Sequence, residues 1–95
     1  MEPTPPNVQP GHILIIKAVE PSHLIVDIAG TLYRAHYLRH NQNPPDQLLH
    51  PDDLLHVTRV NPVDAMTLTD RVNRQGEPDG CRYTLYDYEP YAQRN

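Results

Sequence analysis

Short blocks of hydrophobic residues, most of them alternating with polar ones, run along this chain. Residues 12–19 contain a continuous apolar run, which is typical of a strand covered on both faces. Residues 23–28 and 32–37 alternate with a period of two, so each predicts a strand with one buried face. Turn-forming residues separate the three blocks: Glu20-Pro21-Ser22 and Ala29-Gly30-Thr31. The pattern predicts a three-stranded meander.

The second half of the chain predicts two or three further strands after a polar stretch rich in Asn and Pro. Residues 54–60 and 82–88 have strand-like patterns, and residues 45–49 fit one helical turn with Pro at an early position. Five or six short strands predict a mostly β fold: a small five- to six-stranded barrel with at most one short helix. The oligonucleotide/oligosaccharide-binding (OB) barrel is the favoured type, and an SH3-like barrel is the alternative.

Residues 62–74 are compatible with two structures. Asn61 and Pro62 are good helix-start residues, as an N-cap followed by Pro at the first helical position. Met66 and Leu68, however, follow a two-residue alternation with β-branched threonines between and beside them, which is typical of a strand. We favour a hairpin with a short loop.

The ends of the chain differ from its middle in composition. Residues 1–11 hold four of the 11 prolines, which predicts a Pro-rich flexible tail outside the core. Residues 92–95 are expected to be a frayed C-terminus. Residues 12–91 then form a single small β-barrel domain.

Composition limits the function classes. The 95 residues contain no apolar run of about 18, the length that crosses a bilayer, so no membrane span is predicted. Cys81 is the only cysteine, which excludes a disulfide framework, and the N-terminus lacks the pattern of a signal peptide. These features predict a cytoplasmic protein. Twelve acidic against eight basic residues give a net charge of −4, which disfavours nucleic acid as a partner.

Histidine and cysteine are the residues from which a metal or catalytic site would be built. His36 and His40 are four apart, and His50 and His56 flank two aspartates. Imidazole pairs at such spacing bind metal on a helix, but these histidines fall on predicted strands and loops. Cys81 has no catalytic motif around it and is expected to be a small, partly buried side chain. We predict no enzyme activity, no metal site and no cofactor.

The last predicted strand is dense in tyrosine and acidic residues. Tyr83 is expected to cover the barrel with Leu85, while Tyr86 and Tyr88 face outward. Tyrosine is enriched where proteins meet, because it adds contact area at a low entropic cost. The predicted protein-binding residues are Tyr86, Asp87, Tyr88, Glu89 and Tyr91. They favour a non-catalytic protein-interaction module with an unidentified protein partner, such as an adaptor or an acidic inhibitor or decoy.

This strand also suggests a way to self-associate. If residues 82–88 formed an exposed edge strand, they would allow pairing with a second copy, and hence a homodimer.

An alternative function is the binding of single-stranded RNA. The second and third strands of an OB barrel and the adjoining loops commonly bind oligonucleotides. The residues that would contact phosphates and bases are Arg34, His36, Arg39 and Arg59. Tyr33 and Tyr37 alternate with the cationic residues of the third strand, so they are expected to point inward, where they cannot stack on bases.

Three segments together resemble a known family. Residues 24–35 (LIVDIAGTLYRA) form an apolar strand that turns at a Gly before an aromatic residue and an Ala, residues 50–57 (HPDDLLHV) place a turn before a strand, and residues 61–68 follow as a hairpin. This arrangement over residues 24–72 resembles the soluble OB-fold domain of NfeD-like proteins, and less closely the S1-like barrels of translation initiation factors. The resemblance implies a barrel and a binding role, and it carries over no functional residue.

Overall fold

All regular secondary structure in the described residues, 7–40 and 49–91 of this computed structural model, is β-strand. The six strands are β1 (Ile13–Val19), β2 (His23–Ile28), β3 (Thr31–Arg39), β4 (Leu54–Val60), β5 (Thr67–Val72) and β6 (Pro78–Pro90). The predicted helical turn at residues 45–49 lies outside the described residues except for Leu49, which is not helical.

The strands form a closed antiparallel barrel in the order β1-β2-β3-β6-β5-β4, with β4 paired back to β1. The predicted three-stranded meander and the small mostly β barrel are therefore confirmed. The β2–β3 connection is a two-residue turn in which Ala29 (φ 52°) and Gly30 (φ 88°) both take left-handed conformations. Such a turn matches the twist of the two strands that it joins.

The core consists of the inward-facing side chains of all six strands. Its members include Leu14, Ile16, Leu24, Val26, Ala35, Leu55, Val57, Cys81, Tyr83 and Leu85, with Tyr33 and Tyr37 packed against them. The inward direction predicted for Tyr33, Tyr37, Tyr83 and Leu85 is thus confirmed.

The packed part of the chain begins earlier than predicted. The predicted tail includes Val8, yet this residue is 7% exposed and belongs to the core, and Gly11 donates its N–H to the Val57 carbonyl at 2.8 Å. The end of the barrel needs an apolar side chain to close it, and Val8 supplies one. This part of the tail prediction is wrong, while residues 1–6 lie outside the described residues.

The favoured hairpin interpretation of residues 62–74 is correct. The Asn61 side chain accepts a hydrogen bond from the Val63 N–H (2.9 Å), as a helix N-cap would, but only one turn follows. Ala65 then takes a φ of 60°, and Asn61 donates its own N–H to the Met66 carbonyl (2.9 Å). The left-handed residue ends the turn, and the chain returns as β5.

A β-bulge in β6 reverses the direction predicted for Tyr88. His36 pairs with Tyr86, but Arg34 pairs with Glu89, so one extra residue of β6 stands opposite Ala35. Asp87 occupies the bulge with a φ of 53°. The bulge shifts the alternation by one position, so Tyr88 packs against the core instead of facing solvent. The outward prediction for Tyr88 is therefore wrong.

The expectation of an exposed edge at residues 82–88 is also wrong for most of the segment. Residues 82–85 pair with β5 on one side, and on the other they face β3 and its end, where His40 donates its N–H to the Arg82 carbonyl. Beyond Leu85 the strand pairs with β3 alone and enters the bulge. Closure of the barrel uses the hydrogen-bonding groups that pairing with a second copy would need.

Candidate interaction surface

The strand β5 points two threonines inward and the leucine between them outward. Thr67 and Thr69 are 0% and 2% exposed, whereas Leu68 between them is 36% exposed on the outside. The buried hydroxyls are satisfied, because Thr67 donates to the Ala65 carbonyl (2.7 Å) and Thr69 to the Tyr83 carbonyl (3.1 Å). A buried Leu stabilises a core more than a buried Thr does. The strand therefore exposes its leucine, in the register that also keeps the carboxylate of Asp70 outside the core.

Leu68 belongs to a row of outward-facing positions that crosses four strands. Arg59 on β4 pairs with Leu68, Leu68 pairs with Thr84 on β6, and Thr84 pairs with Leu38 on β3. Leu38 is 54% exposed, whereas Thr84 is nearly buried because the His40 imidazole forms a hydrogen bond with its hydroxyl. The row thus carries two exposed leucines, which are separated by Thr84, and it ends at Arg59.

Two adjoining depressions lie along this row, and we call them together the outer groove. Its principal lining residues are His40, Arg59, Met66, Leu68, Asp70 and Arg82. Asp70 is the one carboxylate among the described residues that line it, and it pairs with Arg82 (Nε–Oδ1, 3.4 Å). The groove thus combines an apolar floor with a rim in which arginine outnumbers carboxylate.

The β4–β5 loop stands at one end of the outer groove and presents an apolar tip. Val63 is 90% exposed and Met66 is 41% exposed. The side chains of Asn61 and Asp64 accept hydrogen bonds from the N–H groups of Val63 (2.9 Å) and Met66 (3.0 Å). These bonds hold the loop in one shape, so its apolar residues are displayed without a large entropic cost on binding.

The residues predicted to bind protein do not form one surface. Tyr86 stacks on the His36 ring, with centroids 5.4 Å apart, and Asp87 is exposed in the bulge. Glu89 stands opposite Arg34. Tyr91 is 43% exposed and donates its N–H to the Leu32 carbonyl at 3.0 Å, beside a depression over β1 and β2. Tyr88 is removed from the set by its packing in the core.

Two of the four residues predicted to bind RNA lie together. Arg34 and His36 both face outward on β3, and Arg34 also pairs with Glu20 (Nε–Oε1, 3.5 Å). Arg39 lies at the end of β3 opposite Tyr83, and its charge acts on the Cys81 thiol at the barrel mouth. Arg59 is on β4 in the outer groove. The barrel therefore divides the predicted cationic face among three places.

A row of three rings accompanies Arg34 and His36. The His23 and His36 ring centroids are 4.2 Å apart, and Tyr86 lies on the other side of His36 at an interplanar angle of 22°. The His23 ring also accepts or donates a hydrogen bond with the Ser22 hydroxyl at 2.9 Å. The row provides flat aromatic surface on β2, β3 and β6.

A charged cluster closes the barrel mouth beside Cys81. The Arg71 guanidinium lies 2.6 Å from Asp79 and 3.7 Å from Asp53. Partial burial disfavours the charge of Asp79, but the Cys81 N–H and the Arg71 guanidinium outweigh it, so the pKa of Asp79 is lowered. Burial, together with Asp79, raises the pKa of the Cys81 thiol. The arrangement favours a neutral, structural thiol.

The histidines considered as metal ligands contact different parts of the barrel. His36 lies in the ring row, His40 covers Thr84, and His50 stands 4.0 Å from Asp53 at the barrel mouth. Across residues 7–40 and 49–91, no three His, Cys, Asp or Glu side chains come together in a way that could hold a metal ion. Within the same residues, no helix is long and apolar enough to cross a membrane.

Comparison with known proteins does not assign this barrel to a family. A scan against protein-family models, a search of curated proteins and a search of solved structures each gave no match.

Sequence reasoning missed the outer groove because the alternation of Met66 and Leu68 predicts a strand without saying which of its faces is buried. The signal that could have found it is the sequence Thr-Leu-Thr at residues 67–69, in which either face of the strand can be the buried one. Leu38 offered a second signal, since it alternates with Tyr37 and shares the outward face of His36.

Proposed function

We propose that this chain is a non-catalytic protein-interaction module that binds its partner in the outer groove. The observation that carries the proposal is the orientation of β5, which buries Thr67 and Thr69 and exposes Leu68. Contiguous exposed apolar side chains commonly mark protein-binding sites.

Two further features support this location. Met66 lines the groove beside Leu68, and Leu38 is a further exposed leucine in the same row, on the other side of Thr84. The ordered β4–β5 loop lines one end of the groove with Pro62 and Met66, and it also carries the exposed side chain of Val63. Adaptor, inhibitor and decoy roles are all compatible with such a site.

Photo-crosslinking tests the proposal even while the partner is unidentified. Benzoylphenylalanine is placed at Leu38, in the row of Leu68, and as a matched control at Gln75, an exposed residue of the β5–β6 loop. We expect a discrete adduct from position 38 only. Excess unlabelled wild-type protein should suppress that adduct, whereas the Leu68→Ser variant should not.

The comparison of the two crosslinking positions and of the two competitor proteins decides whether the outer groove is the binding site. Equal adducts from both positions, or suppression by Leu68→Ser as strong as by wild type, would reject the outer groove as the binding site. An adduct with the mass of two chains would identify the partner as a second copy, and the homodimer would then form through this face.

Single-stranded RNA binding is the second candidate, and the ring row is the observation that favours it. His23, His36 and Tyr86 offer stacking surface beside Arg34, which supplies a cation. Titration with mixed-sequence single-stranded RNA should shift the amides of these strands and weaken steeply with salt. The Tyr86→Ala variant should bind less tightly; a flat salt dependence would reject this candidate.

The family resemblance bears on both candidate functions. The likeness of residues 24–72 to the OB-fold domain of NfeD-like proteins agrees with a binding role, and an OB-type barrel would favour strands β2 and β3 as the nucleic-acid surface. The protein-interaction proposal does not depend on that likeness, because it rests on β5.

A further inference from the structure

We propose that the partner of the outer groove is an extended acidic segment, with two carboxylates that flank an apolar side chain at a spacing of two residues each. This inference rests on the proposed function, since it names the chemistry of the partner that the same groove would take.

The charges of the outer groove favour an acidic partner. Arg59 makes no ion pair within the described part of the chain, and it is exposed at the groove. Arg82 pairs with Asp70 while its side chain remains 73% exposed. Among the lining residues that the structure describes, two arginines against one carboxylate make the groove locally cationic, in a chain whose net charge is −4. An acidic segment would therefore be steered here and away from the rest of the surface.

The strand register sets the spacing of the two arginines. Arg59 is paired with Leu68, and Arg82 is paired with Asp70, so the arginines lie two strands apart and two residues apart along the sheet. Strands spaced by about 4.8 Å with a rise of about 3.3 Å per residue put their Cα atoms roughly 12 Å apart. Leu68 lies on the strand between them, directly beside Arg59 and one residue from the midpoint of the two arginines.

An extended peptide fits this spacing with a definite pattern. Four residues of a strand cover about 13 Å, and side chains at alternate positions share one face. Carboxylates at the first and fifth positions would reach Arg59 and Arg82, while an apolar side chain at the third would contact Leu68. The predicted motif is acidic–any–apolar–any–acidic.

A peptide series tests the motif on the intact chain. The probe is the capped peptide Ser-Glu-Ser-Leu-Ser-Glu-Ser, and the controls replace both Glu by Gln, both Glu by Lys, or move the two Glu next to Leu. Binding is followed by amide NMR shifts at low and moderate salt, which also verify that each protein variant is folded. We expect the Glu peptide to shift the amides of Leu68 and its neighbours and to bind more tightly than every control.

Arginine variants separate this inference from the proposed function. Arg59→Gln and Arg82→Gln should each weaken the Glu peptide about two- to fivefold, the range of an exposed ion pair, while Arg74→Gln in the β5–β6 loop should have no effect. Equal binding of the Glu and Gln peptides would overturn the acidic partner and leave the groove as an apolar site. Absence of binding by all peptides, or displacement of the Glu peptide by single-stranded RNA, would also overturn it. In each case the crosslink at Leu38 tests the proposed function independently.

Discussion

Tyr88 offers the sharpest test of the structure, because its direction depends on a single bulge. Its ring makes an edge-to-face contact with Tyr33 at 6.2 Å, and its hydroxyl is enclosed without a hydrogen bond of normal geometry in the described residues. Burial raises the pKa of Tyr88 to about 12, although the Thr67 hydroxyl opposes the shift. An interface tyrosine on the outside would show none of these features.

The raised pKa has a definite consequence for stability at alkaline pH. A group whose pKa is higher in the folded state stabilises the fold fully below its unfolded value, here 10, and that stabilisation is lost as the pH rises through about 12. A shift of two units corresponds to about 3 kcal/mol. Tyr88→Phe removes the ionising group. Between pH 10 and about 12, its free energy of unfolding should therefore fall by about 3 kcal/mol less than that of wild type.

Urea unfolding measured from neutral to alkaline pH provides the assay. At neutral pH, Tyr88→Phe should be as stable as wild type, because the lost hydroxyl had no strong partner. Tyr88→Ala should be destabilised by about 3 kcal/mol through loss of the packed ring. The control is Tyr86→Phe, on the outer face of the same strand, which should retain the alkaline loss. A Tyr88→Ala variant of unchanged stability would refute the bulge and restore Tyr88 as a surface residue.

Three further predictions concern stability. Val8→Ala should lower the free energy of unfolding by about 1–2 kcal/mol because Val8 is a core residue, whereas Gln9→Ala should not; equal values would return residue 8 to a loose tail. At Asp87 (φ 53°), replacement by Gly should be tolerated and replacement by Val should cost about 2 kcal/mol in urea unfolding, and equal costs would contradict the left-handed bulge. Because the pKa of Asp79 is lowered in the folded state, its carboxylate stabilises the fold above the unfolded pKa of 3.8, and this stabilisation is lost as the pH falls through the folded pKa. Asp79→Asn should therefore have a lower free energy of unfolding than wild type at neutral pH, and the two values should converge in acid. A gap between the two proteins that is independent of pH would contradict the ion pair with Arg71.

Much of the fold follows from hydrophobic patterning, because period and turn chemistry are local. The β2–β3 hairpin illustrates this: alternation predicts both strands, and Gly30 marks the turn. The inward faces of β3 and of the start of β6 follow in the same way. The choice of a hairpin over a helix after Asn61 also rests on the two-residue alternation, and the β-branched threonines correctly favour a strand.

What patterning cannot predict is a shift of one residue in the middle of a strand. The bulge at Asp87 inverts every side chain after it, and nothing in the sequence Tyr-Asp-Tyr-Glu announces it. A second bulge, at Thr58, separates Val57 from Arg59 in the pairing with β5. Ala29, Asp52, Ala65 and Asp87 all have positive φ without being glycine, and local propensity gives least warning at the two alanines, because aspartate adopts this conformation more often.

The orientation of β5 decides which side chains line the outer groove. A slip of one residue would bury Leu68 and expose both threonines, but it would also turn the carboxylate of Asp70 toward the core and move Arg71 away from Asp53 and Asp79. Two hydrogen bonds also hold the observed register. The Thr69 hydroxyl donates to the Tyr83 carbonyl, and the Thr67 hydroxyl donates to the Ala65 carbonyl at the end of the β4–β5 loop. The left-handed Ala65 and the bulge at Thr58 fix the same register from both sides of the hairpin. These features keep Leu68 and Asp70 together on the outside of the barrel, where the proposed partner would contact Leu68.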